Sequence, residues 1–204
     1  MIYDISMTIH PRMTVYKDKE EKLPIINQVN SFEKDGNYES SIKMNLHTGT
    51  HIDFPLHMIE SGSNSNTENL NILTGKAKVF DFTHLNEKIT YEDIKNLQIN
   101  ENDFVIFKTK NSFVEEFDYD FIYLAIDAAN YLTDKKIRGV GIDALGIERA
   151  QKNHPTHKIL LSNNIIILEG LRLKDIKEDL YELFCLPLKI ANVEALPVRA
   201  ILIK

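Results

Sequence analysis

The sequence lacks the features that would cross-link the chain or insert it into a membrane. Its 204 residues include one cysteine, Cys185, and no tryptophan. A single cysteine cannot form an intrachain disulfide, so a disulfide-stapled scaffold is excluded and Cys185 is expected to be a small buried hydrophobic residue. No apolar run approaches the roughly 18 residues of a membrane-spanning helix, and no signal-peptide pattern is present. We therefore expect a soluble, cytoplasmic protein without membrane association.

Positive charge is also scarce. Lys and Arg number 24 against 30 Asp and Glu, which gives a formal net charge of −6. The chain therefore has no overall basic footprint, and this argues against a dedicated nucleic-acid-binding protein. The content of 43% hydrophobic and 26% charged residues is that of a globular protein. Residues 1–204 are long enough to form one domain with its own core.

Runs of β-forming residues outnumber helical patterns. Alternation and short apolar runs predict strands at residues 2–6, 23–29, 38–46, 76–82, 103–108, 137–143, 164–169, 181–186 and 197–203. Capping residues predict helices at 90–97 and 121–133, and a short helix that starts at His154 with Pro155 in its first turn. This mixture predicts an α/β or α+β domain built on a strongly curved sheet.

Three of the seven histidines fall within the eleven residues HTGTHIDFPLH, at positions 47–57. Imidazole and carboxylate side chains together suit Zn, Mn or Fe. The spacing of His47 and His51 matches a helical zinc-protease motif, but Gly49 and the missing Glu argue against that motif. In an extended chain, His47, His51, Asp53 and His57 share one face because all are odd-numbered, and the even-numbered apolar residues face the core.

The residues alone leave two interpretations of this cluster open. Ordinary surface histidines on a half-exposed strand would show the same parity, whereas a metal site would also explain the interposed glycine and threonines. A metal site needs further ligands, and the downstream candidates are Asp143, His154, His157 and Glu169. The competing interpretation is that Glu169 faces solvent and that His157 caps a helix.

The same eleven residues resemble the signature of the cyclase family of metal-dependent hydrolases, which includes bacterial kynurenine formamidase and isatin hydrolase. Other fragments match the family in order, namely IYDISMTIHPRMTVY, GIDALGIE, HKILLSNNIIILEGL and LPVRAILI. The resemblance implies a swivelling β/β/α domain with a curved, barrel-like mixed sheet. It also implies a homodimer or homotetramer.

Individual site residues follow from the resemblance. It assigns the ligands of one or two divalent ions, Zn or Mn, to His47, His51, Asp53, His157 and Glu169. His57 matches the general acid/base, and Tyr16 lies where the formamidase has an aromatic residue that stacks on the substrate. The next residues, Lys17 to Lys19, replace the family's Pro-Gly-Asp turn. These lysines would either attract an anionic substrate or be solvated loop charges.

The expected activity is hydrolysis of a small amide, an aryl formamide or a cyclic amide. A divalent ion would activate water, and His57 would carry the proton to the leaving nitrogen. The absent tryptophan and the altered turn argue against N-formylkynurenine as the substrate. A metal-dependent lyase or dehydratase and a metal-containing small-molecule binding protein are the alternatives. A serine hydrolase is disfavoured because the sequence has no G-x-S-x-G motif.

Overall fold

Short strands form the framework of the computed structural model, which describes residues 1–66 and 69–204. The strands in these residues are β1 Ile2–Asp4, β2 Ile25–Asn30, β3 Glu39–Lys43, β4 His51–Asp53, β5 Thr74–Asp81, β6 Lys88–Ile89, β7 Phe104–Lys108, β8 Tyr123–Leu124, β9 Gly139–Ile142, β10 Ile166–Glu169, β11 Asp179–Phe184, β12 Ala195–Pro197 and β13 Ile201–Ile203. The α-helices are α1 Phe32–Asp35, α2 Tyr91–Ile94, α3 Ile126–Asp134 and α4 Pro155–Ser162.

Nine of these strands form one mixed sheet in the order β1-β13-β11-β5-β7-β9-β10-β4-β12. The central strands β5, β7, β9 and β10 run parallel, and antiparallel strands flank them on both sides. The sheet curls into a half-barrel, so the predicted α/β class with a curved mixed sheet is confirmed. Two small sheets, β2-β3 and β6-β8, complete the described strands.

The central strands are buried on both faces, which explains their continuous apolar runs. In β7, Phe104 and Ile106 point into one hydrophobic cluster, whereas Val105 and Phe107 point into a second cluster. The first cluster covers one face of the sheet with side chains from the antiparallel strands and with buried Cys185, which directly follows β11. The second cluster packs the sheet against the longer helices α3 and α4. The alternating side-chain directions of a strand thus hold two layers together.

Strand pairing brings distant parts of the sequence together at one edge of this core. Strand β10 pairs antiparallel with β4, which places Glu169 opposite His51 and Ile167 opposite Asp53. Helix α4 packs against β10 and begins at Pro155, as its sequence predicts. None of the described helices is long and apolar enough to span a membrane.

Three local predictions are wrong. Residues 47–57 do not form one strand but a turn, the three-residue strand β4 and a 3-10 turn at Pro55–His57. Ile42 does not face the core, because both faces of β3 are exposed and this side chain is 52% accessible. The helix predicted at 121–133 starts only at Ile126, because residues 123–124 pair as β8 with β6. Tertiary pairing overrides the local helical pattern there.

Candidate metal centre

Two backbone segments, at Gly49 and at Gly170, approach each other closely beside the site. Gly49 has a left-handed φ of +66°, and its carbonyl oxygen lies 2.5 Å from where a Cβ on Gly170 would stand. Gly170 also has positive φ, at +70°, so a side chain there would be strained as well as clashing. The hydroxyl of Thr50 donates to the Gly170 carbonyl at 2.6 Å. This contact fixes the start of β4 against the end of β10.

The turn before β4 positions the first two histidines. The backbone N–H of His47 donates to Asn45 Oδ1 at 2.8 Å, which holds His47 outside the strand. His51 is the first residue of β4, and its Nδ1 lies 2.9 Å from the Gly49 carbonyl oxygen. Because a carbonyl accepts, Nδ1 carries the proton and donates it. The other ring nitrogen, Nε2, is thereby directed into the cluster as an available ligand atom.

All five residues predicted as metal ligands converge. His47 Nδ1 lies 3.0 Å from Asp53 Oδ1, and His51 Nε2 lies 3.6 Å from the same oxygen. Glu169 reaches in from β10, with Oε2 at 3.4 Å from His51 Nε2. His157 Nε2 lies 3.3 Å from Glu169 Oε1 and 3.8 Å from Asp53 Oδ2. The two carboxylates therefore lie between histidines that come from different parts of the chain.

The hydrogen-bonding state of these groups fits a cation. Asp53 is fully buried, yet neither of its carboxylate oxygens makes a hydrogen bond of acceptable geometry, and His51 Nε2 is equally unsatisfied. Buried polar atoms in folded proteins almost always have partners, so three such atoms facing one another need an explanation. Imidazole nitrogen and carboxylate oxygen are the ligand set of Zn and Mn. The donors therefore fit a divalent metal, and the two groups His47–Asp53–His57 and His51–Asp53–Glu169 each have ligand atoms within 4.8 Å.

Glu148 contacts the ring nitrogen of His157 that faces away from Glu169. The sequence patterns assigned Glu148 no role. Its Oε1 lies 2.6 Å from His157 Nδ1, and its carboxylate also accepts from the backbone N–H of Thr156 at 3.0 Å. The contact fixes the tautomer of His157 so that Nε2 points toward Glu169. A carboxylate behind a metal-ligating histidine is a recurrent supporting arrangement. The only available signal was its position at the end of the GIDALGIE fragment.

Electrostatics in the metal-free cluster are those of buried ion pairs. Burial lowers the pKa of His51, but the nearby carboxylates of Glu169 and Asp53 outweigh it and raise the pKa to about 9. Burial likewise opposes protonation of His157, yet Glu148 and Glu169 raise its pKa to about 10. Burial raises the pKa of Glu169, but the two imidazoles bring it well below its ordinary value. Protons thus occupy the positions that a cation would fill.

His57 and Tyr16 lie beside this cluster. His57 ends the turn Pro55–His57, and its ring centroid is 4.3 Å from that of His47 and 5.7 Å from that of His157. Burial lowers the pKa of His57 below its ordinary value, and the nearby histidines add to this. Tyr16 is half-buried, and burial together with the charge of Glu169 raises the pKa of its hydroxyl.

The cluster opens into a cavity of about 320 Å³. Its wall includes most of the cluster together with Tyr16, Lys22, Asn45, Met58, Gly146 and His154. The predicted candidate His154 is exposed, and its Nδ1 lies 3.4 Å from Glu148 Oε1. Together with Glu148 and His157 it forms a third group whose ligand atoms lie within 4.8 Å of one another. Asp143, the other downstream candidate, does not join the site because it accepts hydrogen bonds from Thr109 and Ser112.

A buried cluster of imidazoles and carboxylates at one edge of a curled mixed sheet defines a class of α/β protein with a candidate metal centre. The chain belongs to the cyclase family: the family described as "Putative cyclase" matches residues 3–149. The predicted family membership is therefore confirmed.

Relatives and solved structures agree with this placement. The chain is 32% identical to the kynurenine formamidase of Salinibacter ruber (strain DSM 13855 / M31), over 98% of this chain and 96% of that protein. A structure described as a potential metal-dependent hydrolase with cyclase activity is 53% identical, with a TM-score of 0.92 over 99% of this chain and 96% of that one. Isatin hydrolase A from Labrenzia aggregata shares the fold, with a TM-score of 0.88 at 24% identity over 99% and 93% of the two chains.

Proposed function

We propose that this protein is a metal-dependent hydrolase that cleaves the C–N bond of a small non-peptide amide, an aryl formamide or a cyclic amide. The observation that carries the proposal is the buried Asp53, whose two oxygens face imidazoles without a hydrogen bond. The 53% identical metal-dependent hydrolase and the 32% identical kynurenine formamidase support the reaction class.

The proposed ligands fall into two sets, and Asp53 of the first set would be able to bridge to the second ion. His47, His51 and Asp53 would hold one Zn or Mn ion, and His157 with Glu169 would complete a second position. When bound, such an ion supplies a Lewis acid that acidifies water and polarises a carbonyl group. The fixed tautomers support this assignment, since Gly49 and Glu148 each engage a histidine Nδ1 and leave Nε2 directed inward.

His57 is proposed as the proton carrier. Its lowered pKa keeps the imidazole neutral near pH 7, so that one ring nitrogen has a free lone pair. That nitrogen would take a proton from the attacking water and deliver it to the leaving amide nitrogen as the C–N bond breaks. The ring lies next to His47 and His157, and one of its nitrogens lies within 4.8 Å of ligand atoms of His47 and Asp53, so metal content and turnover have to be measured together in a His57 variant.

The test compares His57→Ala with the unmodified holoenzyme on a panel of aryl formamides. We expect the variant to retain its metal while turnover falls by about 10²- to 10⁴-fold, the usual contribution of a general acid/base. Metal content would be read by elemental analysis of the same preparations. Parallel loss of metal and activity would make His57 a ligand instead. Stoichiometric metal without turnover of any amide by the unmodified protein would favour the binding-protein alternative.

We also propose a homo-oligomer. The hairpin β2-β3 is exposed along its length and presents the large apolar side chains of Ile25, Ile26, Val29 and Ile42. A two-stranded hairpin is marginally stable alone in water, so a second copy packed on it would stabilise it. Light scattering coupled to gel filtration tests the proposal, and a monomer at all concentrations would contradict it.

A further inference from the structure

Lys22 occupies an unusual position for a lysine in this protein. It ends the short 3-10 turn Glu20–Lys22 and lines the cavity of the candidate metal centre. Its Nζ lies 5.1 Å from the ring centroid of Tyr16, within cation–π range. Tyr16 is itself held edge-on by Phe117, with ring centroids 5.3 Å apart. The ammonium group is therefore held beside the cavity by an aromatic support.

Lys22 forms no ion pair with an acidic side chain among residues 1–66 and 69–204, which the structure describes. The neighbouring Lys19, by contrast, is exposed and lies 3.8 Å from Glu21. Burial and the charges of Lys19 and Lys17 lower the pKa of Lys22 below its ordinary value even though Glu21 and Glu169 oppose the shift, so holding the charge there carries a net cost. An anion brought next to Nζ would offset that cost.

The other charged groups of the cavity are already engaged. Glu148 contacts His157, and Glu169 contacts both His51 and His157. Of the lysines considered from the sequence, Lys17 lies over the Tyr16 ring at 5.3 Å but does not line the cavity. The sequence suggested Lys17 and Lys19 as residues that attract an anion. In the structure, Lys22 is the lysine that lines the cavity.

We infer that Lys22 binds an anionic substituent of the substrate, and that this substituent is a carboxylate. One compact ammonium group balances the single negative charge of a carboxylate, whereas a phosphate group carries nearly two charges. The inference rests on the proposed function and deepens it: the substrate is a small amide that also carries a carboxylate. Lys22 is a specificity-determining residue and takes no part in bond cleavage.

The first arm of the test measures binding and needs no turnover. Benzoate and benzamide are titrated by calorimetry into the metal-loaded protein, into Lys22→Met and into Lys22→Arg. Benzoate should bind the unmodified protein more tightly than benzamide, and Lys22→Met should weaken benzoate binding by about tenfold, as expected for one lost charged hydrogen bond. Benzamide binding should be unchanged, and Lys22→Arg should restore most of the benzoate affinity. Lys19→Met, which removes an exposed lysine, is the matched control and should change neither.

The second arm measures KM for two formanilides that differ only in a ring carboxylate or a ring carboxamide. Lys22→Met should raise KM about tenfold for the carboxylate alone and leave kcat and metal content unchanged. Equal weakening of benzoate and benzamide, or no preference for benzoate in the unmodified protein, would overturn the inference. Failure to cleave either formanilide would count against the proposed hydrolase, while the binding arm would still decide the role of Lys22.

Discussion

Two buried aspartates in this protein have nearly the same exposure and opposite surroundings. Asp53 is 0% exposed and Asp143 is 2% exposed. The Asp143 carboxylate accepts hydrogen bonds from the backbone N–H and hydroxyl of Thr109, from those of Ser112 and from the Asn111 amide, at 2.6–3.3 Å. The Asp53 carboxylate accepts none of acceptable geometry and faces imidazoles. The protein supplies hydrogen-bond donors for the Asp143 carboxylate but not for the Asp53 carboxylate.

The comparison teaches that burial does not distinguish a ligand from a structural residue, whereas hydrogen-bond satisfaction does. The sequence offered both aspartates as candidate ligands, Asp53 because it lies within the histidine cluster and Asp143 because it ends a predicted buried strand. Neutral donors around Asp143 fix the loop that follows β7. Burial still raises the pKa of Asp143 to about 6 in spite of those donors. Asp53 instead depends on cationic or metal partners for its compensation.

The largest effect is expected at the unsatisfied carboxylate. Asp53→Asn keeps the side-chain size and removes the charge, so we expect loss of bound metal and a fall in turnover of at least about 10³-fold. Elemental analysis and the formamide panel measure both. The matched variant is Asp143→Asn, which should keep its metal. Full metal occupancy in Asp53→Asn would show that metal binding does not depend on the charge of the unsatisfied carboxylate.

The satisfied carboxylate should matter for stability instead. Asp143→Ala leaves several buried donors without an acceptor, so the free energy of unfolding should fall by about 3 kcal/mol. Urea denaturation of the metal-loaded protein measures it. Asp134→Ala, at the exposed end of α3, is the control and should stay within about 0.5 kcal/mol of the unmodified protein. A fall as small in Asp143→Ala as in Asp134→Ala would show that the hydrogen-bond network adds nothing.

A smaller effect is expected at Glu148, which contacts the cluster through His157. Glu148→Gln removes the charged partner of His157 Nδ1, and the metal affinity should fall by about 10- to 100-fold. Competition with a chelator of known affinity gives this number without any assay of activity. Glu101→Gln, which alters an exposed carboxylate, is the control. An unchanged affinity would mean that helix α4 alone orients His157.

The last effect concerns pH and the metal-free protein, and it is spread over several pH units. The pKa values of His51 and His157 are raised to about 9 and about 10 in the folded state, above the ordinary 6.5. Their contribution to stability is therefore complete below about pH 6.5 and is lost as the pH rises toward 9–10. Between pH 6.5 and 8, chelator-treated protein should lose about 1 kcal/mol per pH unit for each of these two histidines, and the lowered pKa of His57 opposes the loss only near the start of this range. Urea denaturation at pH 6.5 and 8 measures the loss, and a rise in stability would contradict these charge states.

The sequence predicted much of the site for a reason that is only partly right. Parity placed His47, His51, Asp53 and His57 on one face of a strand, and these residues do converge. They do so through a turn, a three-residue strand and a 3-10 turn. Gly49 has positive φ before the strand, and Pro55 begins the 3-10 turn after it. The resemblance to the cyclase family supplied His157 and Glu169, which spacing alone left open. The assignment of metal ligation and proton transfer to these residues stays a prediction.

The sequence by itself determined the α/β class, the central strands and the ligand types, because apolar periodicity and imidazole–carboxylate clustering are local properties of the chain. Only the tertiary structure decided which polar groups meet. The pairing of β4 with β10 brings Glu169 to His51 and leaves the Asp53 oxygens facing imidazoles without a well-formed hydrogen bond, whereas the loop after β7 closes on Asp143. The same packing places Lys22, and not Lys17 or Lys19, in the cavity wall. Side-chain satisfaction depends on neighbours that are remote in sequence, so no local pattern encodes it.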